Sequence, residues 1–198
     1  DSGLRFSDHV GRVVNSSLRM LGVASRLTRE FENPTAFITL YCSLSRSQLE
    51  YASVVWNGIS KSHSLVIERV QKKFVSIFKH RYIKEDVHCL TYESALKRVG
   101  LLSLHRRREN ADLLFLFKTL HGLINSPSLL SELCLRVPRV PTRLRSSFYV
   151  SRTFSPVNPI VRMAQRLNHY SERLDIFHPC YRTFVLSIKN LPVQDEHC

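Results

Sequence analysis

Val10-Gly11-Arg12-Val13-Val14-Asn15-Ser16-Ser17-Leu18-Arg19-Met20-Leu21-Gly22-Val23-Ala24-Ser25-Arg26-Leu27 is the stretch whose pattern decides the fold. Val10, Val13, Val14, Ser17, Leu18, Leu21, Ala24 and Leu27 recur every three or four positions, which puts them on one side of an α-helix. The spacing predicts a first helix from about Ser7 to Phe31. Asn33-Pro34 stops it and starts the next, with Asn33 as N-cap and Pro34 at the first helical position, where a missing N–H costs nothing. That second helix, to about Trp56, is apolar on most sides and is expected at the centre of a bundle.

Helix and punctuation alternate along the rest of the chain. A third helix is expected over about Ser62–Lys79, with Ile67, Val70, Phe74, Ile77 and Phe78 as its core stripe. A short one follows from Tyr92 to Val99, stopped by Gly100. Ser103 caps a long helix through Leu120, whose run Leu113-Leu114-Phe115-Leu116-Phe117 has to be largely buried. Ser126-Pro127 starts another short helix. Residues 137–156 turn to Pro, Arg and Ser without a period and read as an irregular crossover, with an extended piece at 147–150. Asn158-Pro159 repeats the cap-plus-proline signal for a helix to about Phe177, and a last helix covers about Cys180–Lys189. With 6 glycines in 198 residues, the fold class expected is all-α: an irregular helical bundle of about seven to eight helices with a Pro/Arg-rich crossover.

A hydrophobic content of 43% excludes wholesale disorder and supports a real core. No apolar run approaches the ~18 residues a membrane helix needs, so no membrane partner is expected. No signal peptide opens the chain and the first methionine is Met20, which reads as a fragment of a longer protein or as a start removed by processing. Lysine and arginine total 29 against 16 acidic residues, a net charge of +13. Such an excess favours polyanions, nucleic acid above all, through counterion release. Residues 1–60 carry 6 basic and 5 acidic side chains, residues 61–125 carry 13 and 6, and residues 126–198 carry 10 and 5. A partner-facing surface is therefore expected after residue 60. Cys42, Cys89, Cys134, Cys180 and Cys198 are odd in number and never spaced C-x-x-C. They read as reduced thiols in a nuclear or cytoplasmic protein.

Several short segments resemble, in order, the region downstream of the polymerase core in LINE-type (non-LTR) retrotransposon reverse transcriptases, the jockey-like group especially. Asp1, Leu4, Phe6 and His9 are similar to the family's segment leaving the palm, and Leu18 to Gly22 to its "LG" helix. Leu49-Glu50-Tyr51-Ala52, with Trp56, resembles its L-E-Y-A-x-x-x-W signature. Ile67-Glu68-Arg69-Val70-Gln71-Lys72-Lys73-Phe74 resembles "ERVQRRF". Gly100-Leu101-Leu102-Ser103-Leu104 with Arg106-Arg107-Arg108, then Leu116-Phe117-Lys118 with His121-Gly122, and finally Asn168 with Asp175-Ile176-Phe177 are similar to later elements. Gly58 stands where the family commonly has proline, and Asn190-Leu191-Pro192 lacks the tryptophan often found before it.

The resemblance implies a thumb and post-thumb region: residues 1–125 as a thumb-like bundle following the palm, 126–157 as a short helix and crossover, and 158–198 as a C-terminal helical tail. It also implies a polymerase palm packed against residues 1–60, and RNA, DNA and RNA–DNA hybrid as partners held without sequence preference. Reverse transcription needs paired metal-binding carboxylates. Here Asp1, Asp8, Asp86, Asp112, Asp175 and Asp195 are scattered. No enzyme activity is expected of this chain in isolation and no cofactor within it, Mg²⁺ belonging only to the palm.

The nucleic-acid-binding candidates are Arg69, Lys72, Lys73 and Lys79 on the third helix, Arg81 and Lys84 beyond it, and the cluster Arg106-Arg107-Arg108. Guanidinium donors fork onto phosphate oxygens. Three consecutive helical positions fan over roughly 200°, so one or two of the cluster are expected at phosphate and another paired with Glu109 or Asp112. The competing reading for both groups is an ordinary solvated or internally paired surface. Tyr51 and Trp56 read as core residues, with Phe148 and Tyr149 as better stacking candidates. Ser7-Asp8-His9 cannot form a relay from three consecutive residues, and the pair His178 and Cys180 is too few ligands for zinc. The rival to nucleic-acid holding is a helical protein-interaction module or a decayed transposon relic.

Overall fold

The structure, a computed structural model, describes residues 6–83, 90–136, 147–150 and 158–191. Among them the regular structure is helical, apart from one isolated antiparallel bridge between Leu135 and Phe148. The fold is all-α. The chain divides into two compact units. Residues 1–53 and 59–108 form the first; residues 54–58 and 109–198 form the second.

In the first unit, helix α1 (Ser7–Leu27) buries Val10, Val14, Ser17, Leu21 and Ala24, four of them apolar positions of the expected stripe. It stops at Leu27, short of Phe31. Thr28 leaves helical geometry and turns its hydroxyl back onto the Ala24 carbonyl at 2.8 Å, which satisfies an end carbonyl. Leu27 is thereby left 61% exposed. Asn33 caps α2 (Pro34–Leu40), its side chain accepting the Thr35 N–H at 2.8 Å. The helix continues without a break through a π-helical segment (Tyr41–Arg46) into α3 (Ser47–Glu50).

It does not reach Trp56. Tyr51 is extended and Ala52 takes a left-handed φ of 50°, so the helix breaks before the single turn of α4 (Ser53–Trp56). The chain leaves the first unit at this point: residues 54–58 belong to the second, and Trp56 is buried. The helix segments in excess of the eight expected arise in this one stretch.

Two buried serines join α1 to the π-helical segment. The Ser17 and Ser45 hydroxyl oxygens lie 2.7 Å apart, and each is also within hydrogen-bond distance of the other residue's carbonyl, at 3.0 and 3.1 Å, so their two protons are shared among these three contacts. Helix α5 (Lys61–Tyr82) is capped by Ser60. It packs Phe74 against Tyr41, whose ring stacks at 3.9 Å, and against Phe37 at 4.9 Å. Helix α6 (Tyr92–Val99) ends where expected, with Gly100 at φ 75° and the Leu101 N–H returning to the Leu96 carbonyl. This is a C-cap that favours glycine.

Helix α7 (Leu104–Leu120) starts under Ser103, whose hydroxyl accepts the Arg106 N–H. From Glu109 onward it belongs to the second unit. Residues 109–125, grouped above with the N-terminal part, thus pack with the C-terminal elements: Leu113, Leu116 and Phe117 share a core with Phe148, Met163, Leu167 and Phe184. The other helices there are α8 (Pro127–Ser131), α9 (Pro159–His169), capped by Asn158, and α10 (Tyr181–Lys189). Helix α9 ends well before Phe177, because the turns after Tyr170 carry Leu174 and Ile176 into the core. Of the expected crossover, residues 137–146 and 151–156 lie outside the described residues. Asn168 clamps the extended piece by accepting the Phe148 N–H at 3.0 Å and donating to its carbonyl at 2.8 Å.

Candidate nucleic-acid interface

Glu68 is the one acidic residue of α5, and it faces inward. Its Oε1 accepts the Leu104 N–H and its Oε2 the His105 N–H, each at 3.2 Å, so it caps the first turn of α7. The Tyr92 hydroxyl donates to the same carboxylate. Gln71, fully buried, accepts from the Tyr41 hydroxyl at 2.9 Å and donates to the Leu102 carbonyl at 2.9 Å and the Tyr92 hydroxyl at 3.2 Å. The polar residues of the E-R-V-Q run are thus structural on one side, while Arg69, Lys72 and Lys73 lie exposed on the other.

Arg69 and Lys73 have no hydrogen-bond or ion-pair partner among the described residues. The Lys72 ammonium stands 5.4 Å from the Tyr92 ring centroid, a cation–π contact that holds it over the aromatic face. From Arg69 to Lys73 the helix rises ~6 Å. That length brings three cations to one stretch of phosphate backbone. Lys97 and Arg98 on α6 are also exposed; the sequence placed them on a short helix without marking them as candidates.

The other described candidates are used internally. Lys79 donates its ammonium to the Leu90 carbonyl. Arg81 donates to the Ser25 hydroxyl at 2.7 Å, and its guanidinium lies 5.3 Å from the Phe37 ring centroid, so it ties α5 to α1. Lys84 lies outside the described residues. Arg106 and Arg108 are buried, at 7% and 1% exposure, and Arg108 donates to the Ser64 hydroxyl at 2.7 Å. Arg107 forms a two-point ion pair with Glu50, one arm at 2.9 Å, and Arg46 lies 3.7 Å from the same carboxylate. The hydrogen bond to Glu50 holds the Arg107 guanidinium above the usual arginine range. The strongest charge cluster in the sequence is therefore consumed in packing α7, where helical fanning turns two arginines inward.

Asp112 does not pair with that cluster. Within the second unit, Asp112 is fully buried and receives Arg162 (3.1 Å), Arg166 (2.8 Å) and the Asn57 amide (2.9 Å). Arg166 also reaches Glu109 at 3.1 Å, and Arg162 donates to the Val54 carbonyl at 2.6 Å. Two arginines on one carboxylate bind residues 54–58 and α9 to α7. Among the aromatic residues, Trp56 is buried as expected, but Tyr51 is 79% exposed, because the turn at Ala52 points it outward. Phe148 is buried in the core and unavailable for stacking, while Tyr149 is 64% exposed.

Among the described residues, no helix is long and apolar enough to cross a membrane, and no cluster of His, Cys, Asp and Glu is placed to hold a metal ion. No profile of a known protein family matches the chain, and neither does any curated protein or solved structure. The likeness to LINE-type reverse transcriptases rests on the segments quoted above.

Proposed function

We propose that the chain holds nucleic acid without reading its sequence, as the thumb and post-thumb region of a LINE-type reverse transcriptase would. It grips RNA template and RNA–DNA hybrid by their phosphates, and catalysis belongs to a palm outside this chain. One observation carries this reading: the only carboxylate of α5 is spent inside the fold, so the exposed side of that helix presents Arg69, Lys72 and Lys73 with no acidic residue of its own. Phosphate-directed binding of this kind is weak for an isolated module, about 10⁻⁴ to 10⁻⁶ M, and falls steeply with salt.

For the palm expected against residues 1–60, large exposed apolar side chains stand at Leu27, Phe31, Tyr51 and Val55 among the described residues. The internal use of Arg106, Arg107 and Arg108 is the observation that fits the rival, a helical interaction module or a relic without retained binding.

Fluorescence anisotropy with an RNA–DNA hybrid, titrated at several salt concentrations, decides between them, with a polyanion of equal length as control. Hybrid-preferring binding weakened by Arg69→Gln/Lys72→Gln/Lys73→Gln supports the proposal. Binding equal to the polyanion's and indifferent to that variant gives the case to the rival.

A further inference from the structure

Residues 1–60 are nearly neutral in sum, and yet α1 is strongly sided. Arg12, Arg19 and Arg26 are seven apart, so each step falls ~20° short of two full turns, and the three guanidinium groups follow one line ~10.5 Å apart. All three are exposed, opposite the buried Val10, Val14, Leu21 and Ala24. Arg19 and Arg26 have no hydrogen-bond or ion-pair partner among the described residues. Between the first two arginines, Arg12, Asn15, Ser16 and Arg19 line a shallow concavity of about 650 Å³. Beyond Arg26 the chain turns, with the Phe31 N–H on the Thr28 carbonyl and the Tyr82 hydroxyl on the Phe31 carbonyl, and the Phe31 side chain is left 53% exposed.

We infer that this face of α1 is a second nucleic-acid track, made for a single strand of RNA or DNA and separate from the α5 face. It rests on the nucleic-acid reading above. Three cations in file between the exposed Asp8 and Glu30, followed in sequence by the exposed Phe31 ring, suit one backbone with unstacked bases. A duplex offers two backbones and no free base. Helices α1 and α5 pack on each other through their buried faces, so their outward faces diverge and one rigid duplex cannot lie along both. The basic surface thus starts at residue 12, well before the position near 60 that segment charge predicted.

The test uses the full chain with a labelled 20-nucleotide single strand and, separately, an RNA–DNA hybrid, each titrated over a range of salt. Arg12→Gln/Arg19→Gln/Arg26→Gln is expected to weaken the single strand about tenfold and flatten its log K against log salt slope by about 2, at ~0.7 per lost contact. Hybrid affinity should change less than twofold. Phe31→Leu should weaken the single strand about fivefold with the slope unchanged, since stacking releases no counterions. If the triple variant fails to fold, Arg19→Gln alone should give about a third of the slope change.

Single-strand binding untouched by the α1 variants but lost in Arg69→Gln/Lys72→Gln/Lys73→Gln overturns the second track and leaves the proposed function standing. Equal loss on both probes overturns it as a general charge effect. Equal loss of poly-glutamate binding marks an acidic-protein surface and also overturns it. No effect of either triple variant on either probe removes the nucleic-acid function itself, and the track with it.

Discussion

The Glu68 carboxylate on α5 accepts the backbone N–H of Leu104, the first residue of α7, at 3.2 Å. An acidic side chain at a helix N-terminus satisfies an orphan donor and complements the helix dipole. Here it comes from another helix and is buried. Glu68→Ala strands two N–H groups and the Tyr92 hydroxyl, and should destabilise the first unit by about 3 kcal/mol. Glu68→Gln should lose about half of that. Urea unfolding midpoints test both, and an alanine variant within 0.5 kcal/mol of wild type (~ the scatter of surface changes) sinks the capping role.

Asp112 is the corresponding anchor of the second unit. Asp112→Ala leaves Arg162 and Arg166 without their shared carboxylate and should cost about 3–5 kcal/mol. Arg166→Ala should cost less, because Arg162 remains paired. A double-mutant cycle read by thermal unfolding measures the coupling; a value near zero removes the hub.

The arginine cluster and the α5 face should separate cleanly. Arg108→Ala, at a buried position bonded to Ser64, is expected to lose about 2 kcal/mol or more of stability. Arg69→Gln/Lys72→Gln/Lys73→Gln should stay within about 0.5 kcal/mol of wild type while weakening hybrid binding alike across sequences. A stability loss in the α5 variant matching that of Arg108→Ala contradicts the assignment.

Burial pushes the Tyr41 and Tyr92 hydroxyls well above the usual tyrosine range, reinforced for Tyr92 by the Glu68 carboxylate. It raises the Cys42 thiol as well. In each case the folded state keeps a proton that the unfolded chain gives up near its ordinary pKa. The stability they contribute is full below that point and is lost as pH rises. Chemical stability should hold from neutrality to about pH 9, then fall by up to ~1.4 kcal/mol per pH unit for each tyrosine above about pH 10. Tyr92→Phe should shallow the decline. Unfolding midpoints that do not move between pH 9 and 11 contradict it.

Ala52 carries a positive φ of 50° where Tyr51 and Ser53 turn away from α3. A Cβ in that region is strained, and glycine relieves it. Ala52→Gly is expected to raise stability by about 1 kcal/mol, read by the thermal midpoint. A loss of similar size shows that the turn tolerates its alanine.

How far each element was legible follows the range of the forces involved. Asn33, Ser103, Gly100 and Asn158 act on backbone groups within a turn of themselves, and each works as its residue type and position imply. The break at Tyr51-Ala52 carries no glycine or proline to announce it; it falls just before residues 54–58, which belong to a different unit. Glu68 and Gln71 are polar residues adjoining the core positions Ile67 and Val70 in sequence. Helical position alone does not reveal that α7 starts beside them and needs their acceptors. Arg106-Arg107-Arg108 looked like a phosphate site for the same reason, since Glu50 lies 57 positions away.

The sequence by itself determined the all-α class, most helix starts and stops and the positive charge, because periodicity, caps and composition are local or additive. Only the tertiary structure decided which charges remain for a partner. Asp112 takes Arg162 and Arg166 from 50 and 54 positions along the chain, Glu50 takes Arg107, and Glu68 takes the end of α7. Burial makes an unpaired charge too costly to keep, so each such charge is fixed by whatever distant group folding brings to it, and the cations left outside define the binding face.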